Sequence, residues 1–332
     1  MVIHPWAWGI LALVAIGLVV IDFLGHARNP HPPTAVEAAR WTLFYVGLAG
    51  LFGVGIWLTN GGLYAQEFYA GWAMEWSLSV DNLFVFILIL KAFRVPRENQ
   101  QKALLLGIVI ALLLRLVFIL LGAALVSRFS WVFFIFGLWL LWTAFSQIRE
   151  TARGSDEDEE YHESGFIRAV RRVLPITDGF IGNRMLFRHG GRTYITPMLV
   201  VVLALGSADL MFAFDSIPAI FGITQQAFLV FACNVFALMG LRQLFFLVDA
   251  LLSKLVYLGY GLGVILSFIG VKLILEALHA NTLPFINGGS GVEWAPEISV
   301  SVSLGVIVVT LAVTVVASLI RAAMDEGEAR EH

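Results

Sequence analysis

Nine apolar runs divide this chain of 332 residues: 6–24, 41–58, 72–93, 102–125, 131–147, 197–222, 227–250, 255–277 and 298–320. About twenty consecutive apolar residues suffice to cross the hydrocarbon core of a bilayer as a helix. Helices satisfy their own backbone hydrogen bonds, which lipid cannot do for them. With 59% hydrophobic and 14% charged residues and a mean hydropathy of +0.85, the sequence predicts an all-α integral membrane protein of about nine transmembrane helices. The first run carries Trp6, Trp8 and Asp22 and lacks a basic leader, so it reads as a retained span and not as a cleaved signal.

The distribution of positive charge sets the expected orientation. With the N-terminus outside, the inward loops collect seventeen of the 21 Lys and Arg residues, while only Arg128 stands outside and Arg115, Arg242 and Lys272 fall within spans. Basic residues are retained on the cytoplasmic side, which predicts an N-out, C-in topology. Lys272, Asp249 and Glu276 lie near span ends, from which a long side chain can snorkel to the interface.

An acidic motif occurs twice inside these apolar runs. Glu75 is followed at the sixth position by Asp81 and at the seventh by Asn82; Asp209 is followed in the same way by Asp215 and Ser216. A carboxylate at the centre of a bilayer costs about 2.5–3.5 kcal/mol even on lenient insertion scales, so such residues face a pathway or an ion. The segments Gly107–Arg115 and Asn234–Arg242 then place an arginine on the helix after each motif. This predicts two three-helix units, 72–147 and 197–277, and an odd number of crossings inverts the second relative to the first. Residues 1–71 supply two peripheral spans, 148–196 a cytoplasmic loop, and 278–332 the last span and tail.

On a regular helix, residues six apart point about 240° from one another and residues seven apart nearly coincide. Glu75 and Asp81 therefore share a face only if the helix unwinds; otherwise each carboxylate serves a different partner. Pro218 favours a break after the second motif. Four acids against Arg115 and Arg242 leave two negative charges, which a divalent cation or protons would balance. In a purely structural reading the arginines neutralise the aspartates, Arg115 with Asp81 and Arg242 with Asp215.

The ligand chemistry narrows the ion. All seven histidines lie outside the apolar runs and Cys233 is the sole cysteine, which disfavours nitrogen and sulfur sites for zinc or copper. Carboxylate, amide and hydroxyl oxygens suit Mn²⁺, Mg²⁺ or Ca²⁺; Met74 and Met211 lie close enough in sequence to bias a site toward softer metals or simply to pack. No membrane-embedded Ser/His pair or Gly-x-Gly-Asp context suggests an intramembrane protease, so an enzyme is not expected. In the loop, the acidic run 156–160 with His162 and Glu163 reads as a solvated segment. Phe166 to Leu174 reads as a basic amphipathic helix on the inner leaflet, and Met185 to Thr196 as a β-hairpin turning at Gly190-Gly191. Gly259, Gly263 and Ser267 recur every fourth residue, a spacing that lets helices approach closely.

The stretches EWSLSVDNLFVF (75–86), FAFDSIPAIFGIT (212–224), NVFALMGLR (234–242) and FIGVKL (268–273) resemble the TerC family of bacterial integral membrane proteins, named for tellurium resistance. The resemblance extends over about 70–330. It implies a plasma-membrane transporter that exports manganese, with Glu75, Asp81, Asp209 and Asp215 as metal ligands, Asn82 and Ser216 as their neighbours, and Arg115 and Arg242 balancing charge. Mn²⁺ is then cargo and not a resident cofactor, and the expected partners are a divalent ion and membrane lipids, not nucleic acid. Many members carry a glutamate three residues before Asp209, where this chain has Gly206, which implies one acidic ligand fewer. The competing expectation is a non-transporting membrane scaffold in stress response or membrane-protein assembly, whose essential residues would sit in loop 148–196.

Overall fold

The computed structural model describes residues 4–24, 35–129, 131–153, 177, 179–182, 184–189, 192–248, 256–279, 281, 283, 286–287, 290–292 and 294–331. Among them the helices are α1 (Pro5–Asp22), α2 (Ala35–Asn60), α3 (Gly62–Ala92), α4 (Arg97–Val126) and α5 (Val132–Arg153), followed by strands β1 (Leu186–His189) and β2 (Arg192–Ile195). Helices α6 (Pro197–Phe221), α7 (Ala227–Val248), α8 (Leu258–His279) and α9 (Val300–Glu331) complete the order. Each apolar run falls on one of these helices, and among the described residues eight, α1, α2 and α4–α9, are long and apolar enough to cross a membrane. The chain is an all-α integral membrane protein. Helix α3 begins well before the apolar run at 72, because Gly61, at φ 95°, turns the chain from α2 directly into it. That left-handed conformation is open to glycine at little cost.

The expected hairpin is present. β1 and β2 pair antiparallel with His189 opposite Arg192, so residues 190–191 alone connect them. The acidic run 156–160, His162, Glu163, the amphipathic segment 166–174 and Asp249 lie outside the described residues.

Three helix pairs dominate the packing: α5 on α8, α3 on α7 and α4 on α6; α3 also meets α6, and α4 meets α7. Helices α1 and α2 lie against α7, and α9 lies against α3 and α8. Small residues permit the close crossings. A Cβ placed on Gly137 would stand 2.8 Å from the Gly270 carbonyl oxygen, and one on Gly270 would stand 2.9 Å from that of Gly137. Gly259 and Gly263 continue the same α5–α8 seam against Thr151 and Ile148, the close approach that their spacing predicts. Between α3 and α7, Gly71 accommodates Cys233, whose thiol donates to the Phe68 carbonyl at 3.3 Å. Between α4 and α6, Gly107 faces Leu205 and Gly206 faces Ile110, with Cβ approaches of 2.9 Å at both positions. The space that a family glutamate would occupy at 206 is therefore filled by Ile110 from α4.

Two apolar cores result. The larger joins α1–α4 with α6 and α7; the smaller gathers Val132, Leu140, Ile269 and Leu273 of α5 and α8 around Met74 of α3. One expectation changes here, that for Lys272. Met74 is core packing and Met211 is 64% exposed on the outer face of α6, so neither thioether joins the acids. Lys272, expected to snorkel, is buried and its Nζ donates to Ser303 Oγ at 3.2 Å, because α9 packs over α8 and supplies the hydroxyl. Glu276 is half-buried and accepts from Gln225 Nε2 at 2.7 Å.

Candidate functional site

Helices α3 and α6 run unbroken through both acidic motifs. The break expected at Pro218 does not occur: the proline stands in the last turn of α6, where it forfeits one backbone bond to Phe214 without ending the helix. In the second motif Asp209 and Asp215 consequently point to different sides, each with its own partners.

Side chains from three other helices converge on Arg115 of α4, which is fully buried. Its Nε donates to Asp209 Oδ2 at 2.8 Å and its Nη2 to Asp209 Oδ1 at 3.1 Å, a bidentate pair across α4 and α6. Nη1 donates to Glu75 Oε2 of α3 at 2.7 Å, to Asn234 Oδ1 of α7 at 2.5 Å and, more weakly, to Ser216 Oγ of α6 at 3.2 Å. Asp209 and Ser216 both reach the same guanidinium because seven residues bring them onto one face of α6. Glu75 and Asp209 are 0% and 1% exposed. Two carboxylates on one guanidinium leave the cluster with one net negative charge when both are ionised. Glu75 Oε1 is buried with no hydrogen-bond partner among the described residues, a costly state for a carboxylate oxygen.

Asp215 lies outside this cluster. It faces α5, and its Oδ1 accepts from Trp139 Nε1 at 2.6 Å and from Thr143 Oγ1 at 3.2 Å. Asn82 is buried on α3. Asp81 and Arg242 belong to α3 and α7, but their side chains are outside the described set. Arg115 pairs with Glu75 and Asp209, two partners that the sequence reading did not assign to it. Helix crossing angles decided this, since neither acid is a sequence neighbour of α4. Among the described residues, no three His, Cys, Asp or Glu side chains cluster as a ready metal site.

Three partners escaped the sequence reading: Asn234, Trp139 and Thr143. Asn234 carried a usable signal, a primary amide within a transmembrane run, held here by its own Nδ2 donating to the Val230 carbonyl at 2.9 Å. Trp139 and Thr143 carried none, because both residue types are ordinary in membrane helices.

A profile of the Integral membrane protein TerC family matches residues 60–326, which include all of α3–α8 and every member of the Arg115 cluster. The chain belongs to the TerC family. An uncharacterized membrane protein of Mycobacterium tuberculosis is 46% identical over 311 residues, covering 94% of this chain and 78% of the relative. The chloroplastic thylakoid membrane protein TERC of Arabidopsis thaliana is 37% identical over 280 residues, 84% of this chain and 68% of the relative. A protein of Escherichia coli named putative membrane-bound redox modulator Alx is 33% identical over 319 residues, 93% of each chain. No solved structure matches the chain.

Proposed function

We propose that this TerC-family protein exports Mn²⁺ or a similar hard divalent cation by alternating access between two inverted three-helix repeats, α3–α5 and α6–α8, within a nine-span bundle. The observation that carries the reading is the Arg115 cluster: two carboxylates in the bundle interior share one cation, and Glu75 Oε1 has no partner among the described residues. In this reading Arg115 is a tethered counter-ion. Cargo entering between α3 and α6 takes over Glu75 and Asp209 and frees the guanidinium. Ser216, Asn82 and Asn234 add neutral oxygens, a donor set suited to hard ions. Asp81 and Asp215 bind the ion at other stages of its passage, and Arg242 balances charge in the second repeat as Arg115 does in the first. No covalent chemistry and no resident cofactor is required.

The repeat symmetry has support in the packing. Exchanging α3 with α6, α4 with α7 and α5 with α8 turns the α3–α7 contact into α6–α4, and maps α5–α8, α3–α6 and α4–α7 onto themselves. The reciprocal Gly137–Gly270 contact joins the third helices of the two units. Cys233 is the sole cysteine, so the redox wording in the name of the Escherichia coli relative gains no support from a thiol pair within this chain.

Purified protein in liposomes loaded with a Mn²⁺-quenched dye is expected to pass Mn²⁺ well above protein-free vesicles; no flux in either direction would leave the scaffold alternative standing. The proposed location is the bacterial plasma membrane with the N-terminus outside and the C-terminus cytoplasmic. Reporter fusions after Gly62 and after residue 290 are expected to read outside, and fusions within 155–165 inside. An inside signal at Gly62 would remove both the span count and the inverted repeat.

A further inference from the structure

A second polar feature lies apart from the Arg115 cluster. Helix α5 carries Trp139, Trp142, Thr143, Ser146, Gln147 and Glu150 at helical intervals of three and four, so that one face is polar over its inner half. With Asp215 of α6, these residues line an open cavity of about 200 Å³. The eleven steps from Trp139 to Glu150 correspond to about 16 Å along the helix axis. Among the described residues both charged lining side chains are acids, Asp215 and Glu150. Each acid is held in place: Ser146 Oγ donates to Glu150 Oε1 at 2.9 Å, while Trp139 and Thr143 donate to Asp215. The indoles of Trp139 and Trp142 complete the lining. Six waters occupy about 180 Å³ at liquid density, so the volume suits a cation that keeps its hydration shell.

We infer that this α5–α6 groove is a loading site for a hydrated hard divalent cation, entered at the C-terminal end of α5, with Glu150 collecting the ion and Asp215 receiving it. The inference rests on the transport reading above and adds to it the side of entry and a residue, Glu150, outside the two acidic motifs. A purely apolar seam between α5 and α6 would seal against lipid just as well, and the polar stripe is unnecessary for packing. In the proposed topology the C-terminal end of α5 is cytoplasmic, the side from which an exporter loads.

The test measures Mn²⁺ binding by electron paramagnetic resonance and Mn²⁺ flux in vesicles for the full-length wild type, Glu150→Gln and Ser146→Trp. Loss of the Glu150 charge is expected to raise the KM for Mn²⁺ supplied at that side by about tenfold, with a smaller effect on kcat. Ser146→Trp fills the groove and is expected to reduce flux at least as strongly while melting like the wild type. Wild-type KM and rate in both variants would overturn the loading site. If wild-type vesicles pass no Mn²⁺, the transport reading fails by itself and binding still decides the groove: about tenfold weaker binding in Glu150→Gln sustains a cation site, and unchanged binding removes it. A Glu150→Gln effect that disappears in vesicles lacking ethanolamine lipids would assign the groove to a headgroup amine and overturn the proposal.

Discussion

Replacing Arg115 with glutamine is expected to destabilise the detergent-solubilised protein by about 3–5 kcal/mol, the usual result of breaking a buried ion pair on one side. The change leaves Glu75 and Asp209, at 0% and 1% exposure, without the cation that they share. Both must then protonate or draw in water. Arg115→Lys is expected to recover only part of the loss. An ammonium offers three donors from one point, whereas the guanidinium bonds both oxygens of Asp209 and still reaches Glu75 and Asn234. Adding Asp209→Asn to Arg115→Gln removes one of the two stranded carboxylates and should restore part of the stability, since Glu75 stays buried without its cation, and none of the Mn²⁺ flux. Thermal unfolding followed in detergent checks the series; a wild-type melting curve for Arg115→Gln would show that the cluster does not hold the bundle together.

The second large effect concerns transport. Glu75→Gln and Asp209→Asn are each expected to lower Mn²⁺ flux about 100-fold, since a charged ligand contributes about 1.5–3 kcal/mol and each 1.4 kcal/mol is tenfold. Both variants keep an oxygen that accepts from Arg115, so they insert and fold. Neutralisation therefore separates cargo binding from a structural ion pair. Asp81→Asn and Asp215→Asn are expected to act in the same direction, Asp215 through its place facing α5 and not through Arg115. Flux assays with protein amount normalised by a folded-state measure decide the matter. Wild-type rates in all four variants would confine these acids to holding helices together.

Much of the architecture is legible in the chain itself, because hydrocarbon imposes a length and a composition on every span. All nine apolar runs become helices, the double glycine at 190–191 lies between the strands of a hairpin, and Gly259 and Gly263 mark a close helix seam. The seven-residue spacing that aligns Asp209 with Ser216 follows from helix geometry alone, and both side chains reach Arg115. The partners of the charges are another matter. Spacing alone did not assign to Arg115 the two carboxylates that share its guanidinium, Glu75 of α3 and Asp209 of α6. Asp215, six residues from Asp209, turns away to Trp139 and Thr143 on α5. Sequence periodicity states which way a side chain leaves its own helix, but the neighbour it meets depends on how the helices cross. In this bundle Gly107, Gly137, Gly206 and Gly270 set those crossings by letting backbones approach to where only a missing Cβ fits.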